Sequence, residues 1–335
     1  MEPVTHALTS LALGRAGLNK TTRWATPMLI VAGLAADVDW LSVAAGPHAF
    51  LRAHRTATHS LAGAVAISLL VGGVFWWLGR RDSSAPVRLP RALAVCGIGA
   101  AAHLLLDLTN SYGVELLWPF REKWYAWDLM DSIDPWVLCL LLLGLLLPGL
   151  FRLVLEEIGA RPKARGRQRG AIAALVLLAL YGGGRWVLHG RARELLRAHL
   201  YHGEIPLTTG AFPRGASPLV WSGVVETENT LDEIEVSLEP GSVFDPGRAR
   251  THFKPEASPA LEAARKSPAG VEFLQFARFP LASVEKTENG YRVELRDLRF
   301  SSPLPGQRGV TVAIELNREL LVTKEAFRFG SDRRR

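Results

Sequence analysis

The chain has 335 residues, of which 48% are hydrophobic, and its mean hydropathy of +0.13 is high for a soluble protein. Residues 1–194 hold 20 Lys and Arg against 13 Asp and Glu, whereas residues 195–335 hold 19 of each, so the net charge of +7 belongs to the first part. These basic residues lie in short connectors and form no continuous face, which argues against a nucleic-acid partner, and both cysteines lie inside apolar runs, which excludes a disulfide framework.

Apolar runs dominate the chain before residue 190, and several approach the roughly 20 residues that cross a bilayer. The candidate spans are 24–41, 61–78, 92–108, 137–155 and 171–188. Residues 4–18 form a shorter apolar helix of about 22 Å, which either crosses thinly or re-enters the bilayer. The sequence therefore predicts an all-α, multi-pass helical bundle of five or six spans over residues 1–194.

The basic connectors predict how these spans are oriented. If the first apolar segment crosses, the connectors 15–23, 80–91 and 152–169 share one side and carry 13 Lys and Arg, against four in 42–60 and 109–135. The positive-inside rule makes the first side cytoplasmic, so the C-terminal part is expected on the opposite, outer side. Four arginines at the outer end of the last span oppose this orientation: Arg185, Arg191, Arg193 and Arg197.

From about residue 198 the sequence becomes typical of a soluble domain. Alternating or β-rich stretches, separated by Pro and Gly turns, predict strands at 219–226, 234–238, 291–300 and 310–315. Two further stretches, 258–266 and 270–277, are predicted helices. Residues 195–335 are therefore predicted to form a small α+β domain, whose protein partner the sequence does not identify.

Two carboxylates, Asp37 and Asp39, end the span 24–41. An Asp near the middle of a membrane helix costs about 2.5–3.5 kcal/mol, so such residues need a compensating partner. Two residues apart on a regular helix, they point about 200° away from each other, and both can face one site only if the helix ends or unwinds there. The alternative is a pair of acids solvated at the membrane interface.

Histidines lie close to these carboxylates in the predicted topology. His54 and His59 flank Arg55 immediately before the span from residue 61, an arrangement that a random polar loop could also produce. His103 and Asp107 are four residues apart inside an apolar run and share one helix face, near enough to bind one ion. A hydrogen bond between these two side chains that only holds helices together is the alternative.

His6 lies at the same predicted end of the bundle, so that three imidazoles and three carboxylates converge. These residues are the predicted metal ligands: His6, Asp37, Asp39, His59, His103 and Asp107. They exceed the four ligands of a tetrahedral zinc ion, so either two ions share the site or some residues orient others. Mixed nitrogen and oxygen ligands suit a divalent ion, zinc first, with manganese or iron as alternatives.

The polar motifs together carry a resemblance to a known family. They are Pro3-Val4-Thr5-His6-Ala7-Leu8, Asp37-Val38-Asp39, His54-Arg55-Thr-Ala-Thr-His59-Ser60-Leu61, and His103-x-x-x-Asp107 followed by Tyr112-Gly113. In this order they resemble the YdjM-like family of bacterial inner-membrane metal-dependent hydrolases over about residues 1–190. The resemblance implies a multi-pass helical protein with a metal-hydrolase site. Phe276-Ala-Arg-Phe279-Pro280 and Asp297-Leu-Arg-Phe300 are similar to the tails of longer members.

The first hypothesis is a membrane hydrolase in which one or two divalent ions activate water. Arg55 would bind a phosphate or stabilise negative charge, and His54 would act as a general acid or as a further ligand. The outer-face location favours an amphiphilic substrate, such as a phospholipid or a polyprenyl phosphoester.

Two alternatives remain open. An ion-coupled transporter or relay predicts ionisable residues at mid-depth and two similar halves, neither of which the sequence contains. A non-catalytic envelope protein, in which a metal staples the helices, predicts a closed shell of ligands.

Overall fold

The computed structural model describes residues 1–82, 85–158, 166–301 and 309–329. By its internal contacts the chain divides into two compact units. The first comprises Met1–Trp40 and His54–Arg185, and the second comprises Leu41–Ala53 and Trp186–Arg335. Residues 41–53, which the sequence placed in an outer loop of the membrane part, thus pack with the C-terminal residues.

Seven helices precede the first strand among the described residues: α1 (Pro3–Ala16), α2 (Ala25–Leu34), α3 (Pro47–Ala53), α4 (Leu61–Gly79), α5 (Leu89–Leu108), α6 (Pro135–Glu157) and α7 (Gly166–Arg197). Short 3₁₀ segments lie at Leu18–Lys20, Ala35–Ala45 and Ala57–His59. Five helical stretches are long and apolar enough to cross a membrane: Ala25–Ala45, Leu61–Gly79, Leu89–Leu108, Pro135–Glu157 and Gly166–Arg197. The predicted multi-pass helical bundle is confirmed, and α1, with 14 residues, is not among these five candidate spans.

Small residues let α2 and α5 approach closely in the core of the first unit. A Cβ atom on Gly99 would lie 2.7 Å from the carbonyl oxygen of Leu29, so only glycine fits there. Around this contact the helices bury Met28, Ala32 and Cys96. The close approach brings the C-terminal half of α5, which carries the predicted His–Asp pair, against the end of α2.

The span that begins with α2 does not stay α-helical. Its α-helix ends at Leu34 and continues as a 3₁₀ segment from Ala35 to Ala45. The expectation that the helix ends or unwinds at the acid pair is confirmed, because Asp37 and Asp39 lie in this tighter segment.

In the described part of the second unit, eight strands form two antiparallel sheets: β1 (Thr208–Pro213), β2 (Val220–Glu226), β3 (Thr230–Ser237), β4 (Arg250–Phe253), β5 (Pro280–Thr287), β6 (Gly290–Asp297), β7 (Val310–Asn317) and β8 (Val322–Phe329). The strand orders are β1-β2-β3-β4 and β5-β6-β7-β8, with pairs such as Trp221 opposite Val236 and Val293 opposite Ile314. Helices α8 (Pro259–Lys266) and α9 (Pro268–Phe276) bury Leu261 and Phe273 against the second sheet. The predicted α+β fold is confirmed.

Helix α3 packs against the edge strand β8 of the second sheet. The ring of Phe50 meets Phe329 edge-on with 5.3 Å between centroids, and His48 stacks on Phe327 at 4.7 Å. The Nε2 atom of His48 lies 2.8 Å from a carboxylate oxygen of Glu272 on α9. Residues 41–53 are therefore an integral part of the second unit.

Candidate metal centre

Side chains from three elements of the first unit form a group that could hold a metal ion. His6 of α1, Asp37 of the 3₁₀ segment, and His103 and Asp107 of α5 each offer one ligand atom, all within 4.8 Å of one another. His6, His103 and Asp107 are buried, and the side chain of Asp37 is 16% exposed. The i, i+4 spacing on α5 thus places His103 and Asp107 together, as the sequence predicted.

His59, which ends the short 3₁₀ turn Ala57–His59, points its Nε2 atom at the same group. This atom lies 3.1 Å from Asp107 Oδ2, 3.0 Å from His103 Nε2 and 3.7 Å from Asp37 Oδ1. His103 Nε2 is 3.3 Å from Asp107 Oδ2 and 3.7 Å from Asp37 Oδ1. Donor atoms that share one ion at bond lengths of about 2.0–2.2 Å lie roughly 3–3.5 Å apart, so most of these spacings fit a shared ion.

The hydrogen bonds of the two imidazoles fix which nitrogen faces the group. His103 Nδ1 lies 2.7 Å from the carbonyl oxygen of Gly33, which can only accept, so Nδ1 carries the proton. His59 Nδ1 likewise lies 3.0 Å from a carboxylate oxygen of Asp39. In the neutral rings both Nε2 atoms therefore present lone pairs to each other at 3.0 Å, which is repulsive unless a cation, a metal ion or a proton, lies between them.

Several buried polar atoms of the group have no hydrogen-bond partner among the described residues. They are both ring nitrogens of His6, Asp37 Oδ2 and Asp107 Oδ2. His6 Nε2 is 3.4 Å from Asp107 Oδ1 without hydrogen-bond geometry, and its ring stacks on His103 with 3.8 Å between centroids. Buried polar atoms without partners are costly, and a cation in the group would satisfy one ring nitrogen of His6 together with the two carboxylate oxygens. The residues present therefore fit a divalent ion with mixed nitrogen and oxygen ligands.

Two cationic groups of the chain already lie against Asp107. The amino group of Met1 contacts Asp107 Oδ1, and Arg55 Nη2 donates to the same oxygen at 3.1 Å. The second carboxylate oxygen, Oδ2, remains directed at His59 and His103. Asp107 thus offers one oxygen to the cations and one to the imidazoles.

Asp39, which the sequence placed among the ligands, is outside this group. Its Oδ1 lies 3.1 Å from His54 Nδ1, and its Oδ2 lies 2.7 Å from the backbone nitrogen of Arg55, 3.1 Å from Thr58 Oγ1 and 3.0 Å from His59 Nδ1. Both oxygens are therefore occupied by the loop that carries His54 and His59.

Arg55 adopts the left-handed backbone conformation, with φ of +62°, and is buried. Besides its bond to Asp107, its Nη1 donates to the side-chain oxygen of Asn110 at 3.2 Å, and the guanidinium lies 5.4 Å from the ring of Tyr112. The sequence assigned no role to Asn110. It lies two residues beyond the end of α5 and three residues after Asp107 in the sequence, and this closeness to the His–Asp pair is the signal that could have identified it.

His54 lies beside the group without joining it. Its ring centroid is 6.0 Å from that of His59 and 5.3 Å from that of Tyr112. Burial lowers the pKa of His54 to about 4, and the hydrogen bond to Asp39 acts in the opposite direction. His54 is therefore a neutral imidazole at neutral pH, with its Nδ1 held by Asp39.

Other acids and histidines of the chain have structural partners. Asp134 caps the N-terminus of α6 by accepting from two backbone nitrogens, and it accepts from the hydroxyl of Tyr181 at 3.0 Å. In the second unit, His202 lies 3.2 Å from Asp232, and His252 lies 3.0 Å from Glu233. These contacts give each of these side chains a structural role that needs no bound metal ion.

Two models of known protein families match parts of the chain. The family model described as YdjM inner membrane protein matches residues 1–192, and the model described as YfhP C-terminal alpha/beta plait domain matches residues 259–328. The chain is 26% identical over 145 residues to "Uncharacterized protein YfhP" of Bacillus subtilis (strain 168), a match that covers 41% of this chain and only 43% of that relative. No solved structure matches. Since the first match covers more than half of the chain and includes every residue of the candidate metal centre, the chain belongs to the YdjM inner membrane protein family.

Proposed function

We propose that this protein is a membrane-embedded, metal-dependent hydrolase that acts on an ester or phosphoester of an amphiphilic substrate at the outer membrane face. The observation that carries the proposal is the pair of Nε2 atoms of His59 and His103, which face each other at 3.0 Å beside Asp107 Oδ2. Five side chains would hold the ion: His6, Asp37, His59, His103 and Asp107.

A divalent ion bound by such ligands supplies a Lewis acid that polarises an ester or phosphoryl oxygen and acidifies bound water. Zinc, manganese and iron all accept mixed imidazole and carboxylate ligands. Protein nitrogen and oxygen donors therefore agree with the metal predicted from the sequence, without selecting among the three.

The residues beside the ligands supply the remaining functions. Arg55 brings a buried guanidinium to the edge of the group, where a phosphoryl or carboxylate oxygen of the substrate would find a charged donor. His54 is neutral, and because Asp39 holds its Nδ1, its Nε2 carries a lone pair that would accept a proton from the attacking water and then pass that proton to the leaving group.

An amphiphilic substrate is supported by the apolar surroundings of the group. Val38, between the two acids, is 56% exposed. Leu61, two residues after His59, is 52% exposed. A lipid-like substrate can therefore approach along apolar side chains while its polar group reaches the ligands.

The hydrolase assay uses metal-loaded, detergent-purified protein on three substrates: a phospholipid, a polyprenyl phosphoester and a long-chain acyl ester, with products measured by mass spectrometry. Wild type is expected to turn over at least one class, His59→Ala is expected to lose the activity, and His199→Ala, whose ring bonds the Leu195 carbonyl, is the matched control. Metal-loaded wild type that turns over none of them would leave the ion as a helix staple and contradict the proposal.

The periplasmic location of the C-terminal domain also belongs to this proposal. It is supported by the basic connectors, of which Arg161, Lys163 and Arg165 lie outside the described residues. A C-terminal alkaline phosphatase fusion, which is active only outside the cytoplasm, is expected to be active. An inactive phosphatase together with a fluorescent C-terminal cytoplasmic reporter would place the domain on the other side.

A further inference from the structure

Asp39 contacts four residues of the loop that delivers the histidines. It accepts from the backbone nitrogen of Arg55 at 2.7 Å and from His54 Nδ1 at 3.1 Å, and its Oδ2 lies 3.0 Å from His59 Nδ1. The hydroxyl of Thr58 donates to the same Oδ2 at 3.1 Å and itself lies 3.1 Å from His59 Nδ1. One carboxylate thus organises the whole stretch from His54 to His59.

Each of these bonds has a separate consequence for the site. The bond to His59 Nδ1 fixes the tautomer that presents Nε2 to Asp107 and His103. The bond to the backbone nitrogen of Arg55 stabilises a left-handed residue, a conformation that is unfavourable in a non-glycine residue. With that backbone the Arg55 side chain reaches Asp107.

Asp37 differs from Asp39 in its contacts. Its Oδ1 lies 3.7 Å from the Nε2 atoms of both His59 and His103, and its Oδ2 is buried without a hydrogen-bond partner among the described residues. One acid of the Asp-Val-Asp motif therefore faces the metal-binding atoms, and the other faces the opposite nitrogens of the loop histidines.

We propose that Asp39 is a positioning residue, which sets the tautomers and orientation of His54 and His59 and the backbone of Arg55, and that Asp37 is the metal ligand of the pair. This inference rests on the proposed metal site and assigns the two acids different tasks within it. An aspartate in this position increases the basicity of the ligating imidazole, and loss of such a partner typically weakens metal binding 10–100-fold.

Cobalt titration of the full-length protein in detergent tests this assignment, because the visible spectrum of Co²⁺ reports its coordination independently of activity. Asp39→Asn is expected to bind Co²⁺ at wild-type stoichiometry and with the wild-type spectrum at saturation, but with a Kd about 10–100-fold higher. Asp37→Asn is expected to change the spectrum itself, because it replaces a ligand.

Three outcomes would overturn the proposal. Asp39→Asn could change the cobalt spectrum as Asp37→Asn does, it could bind cobalt with wild-type affinity, or the spectrum could stay unchanged in Asp37→Asn. If Asp39→Asn does not fold, Thr58→Val, which removes the hydroxyl that joins Asp39 to His59 Nδ1, is expected to raise the Kd several-fold with an unchanged spectrum, and an unchanged Kd would overturn the proposal instead. Wild type that binds no cobalt would contradict the metal site as well, which separates the two failures.

Discussion

At the scale of single residues, the site depends on side chains that a nearby residue of the same type could not replace. Arg55 is buried and bonds Asp107 and Asn110, whereas Arg52, three residues earlier, has a side chain that is 68% exposed. The two arginines carry the same charge but differ in what surrounds it. Replacing each arginine by lysine keeps the positive charge and removes the guanidinium, so the two variants separate the contribution of guanidinium geometry from that of charge.

Arg55→Lys is expected to lower the free energy of unfolding by about 1–3 kcal/mol, because an ammonium group cannot reproduce both bonds and leaves a buried acceptor without a donor. Chemical denaturation in mixed micelles measures the change. Arg52→Lys is expected to stay within about 0.5 kcal/mol of wild type. Equal losses in the two variants would show that charge alone matters at position 55.

The sequence predicted the candidate site residues from their types and spacing, but it could not divide their tasks. His103 and Asp107 were predictable as neighbours, because an i, i+4 pair shares one helix face. Asp37 and Asp39 were not distinguishable, because their directions depend on a 3₁₀ segment and on hydrogen bonds from a loop 15 to 20 residues later. Asn110 was missed because an amide near a helix end has many ordinary roles.

At the scale of elements, the described spans agree with the apolar runs to within four residues, except α7, which begins five residues before and ends nine residues after the run 171–188. The strands show why prediction fails elsewhere: the four that the sequence identified, β2, β3, β6 and β7, are central in their sheets. The four that it missed, β1, β4, β5 and β8, are the sheet edges. An edge strand such as β8, with sequence Val-Thr-Lys-Glu-Ala-Phe-Arg-Phe, carries charged residues that blur the apolar pattern.

The orientation of the His103 ring depends on the contact between α2 and α5, because His103 Nδ1 donates to the carbonyl oxygen of Gly33 on α2. Gly99→Ala would place a methyl group 2.7 Å from the Leu29 oxygen and is expected to cost about 1–3 kcal/mol. Metal affinity is expected to fall with it. Thermal unfolding in detergent and a zinc titration measure both effects.

Gly97→Ala on the same helix is the control. Its added methyl group would lie 3.6 Å from Ser68 Oγ, an ordinary contact, so neither stability nor metal affinity should fall. A Gly99→Ala variant as stable as Gly97→Ala would show that the two helices can separate without cost, and would contradict the role given to this contact.

At the scale of the whole molecule, the chain leaves the first unit after Trp40 and returns at His54. The 13-residue excursion between them packs with the C-terminal residues. Asp39 and His54, which lie on either side of these 13 residues, are hydrogen-bonded at 3.1 Å, so the two ends of the excursion are held together. No local pattern could have predicted this, because the partners of α3 lie more than 200 residues later in the sequence.

Glu272→Gln is expected to loosen α3, because it weakens the bond to His48 from a carboxylate to a neutral amide. Hydrogen–deuterium exchange is expected to become several-fold faster in residues 47–53. Glu262→Gln on α8, whose carboxylate pairs only with exposed Arg265 and Lys266 among the described residues, should leave that exchange unchanged. Unchanged exchange in Glu272→Gln would show that the aromatic contacts alone hold α3.

The central claim is that the buried histidines and aspartates hold a metal ion, and elemental mass spectrometry of the purified protein tests it most directly. Wild type and His199→Ala are expected to carry stoichiometric metal, whereas His103→Ala, which removes one of the two facing Nε2 atoms, is expected to lose it. Wild type that carries no metal, even after reconstitution with zinc, manganese or iron, would contradict the account and leave a proton between the two imidazoles.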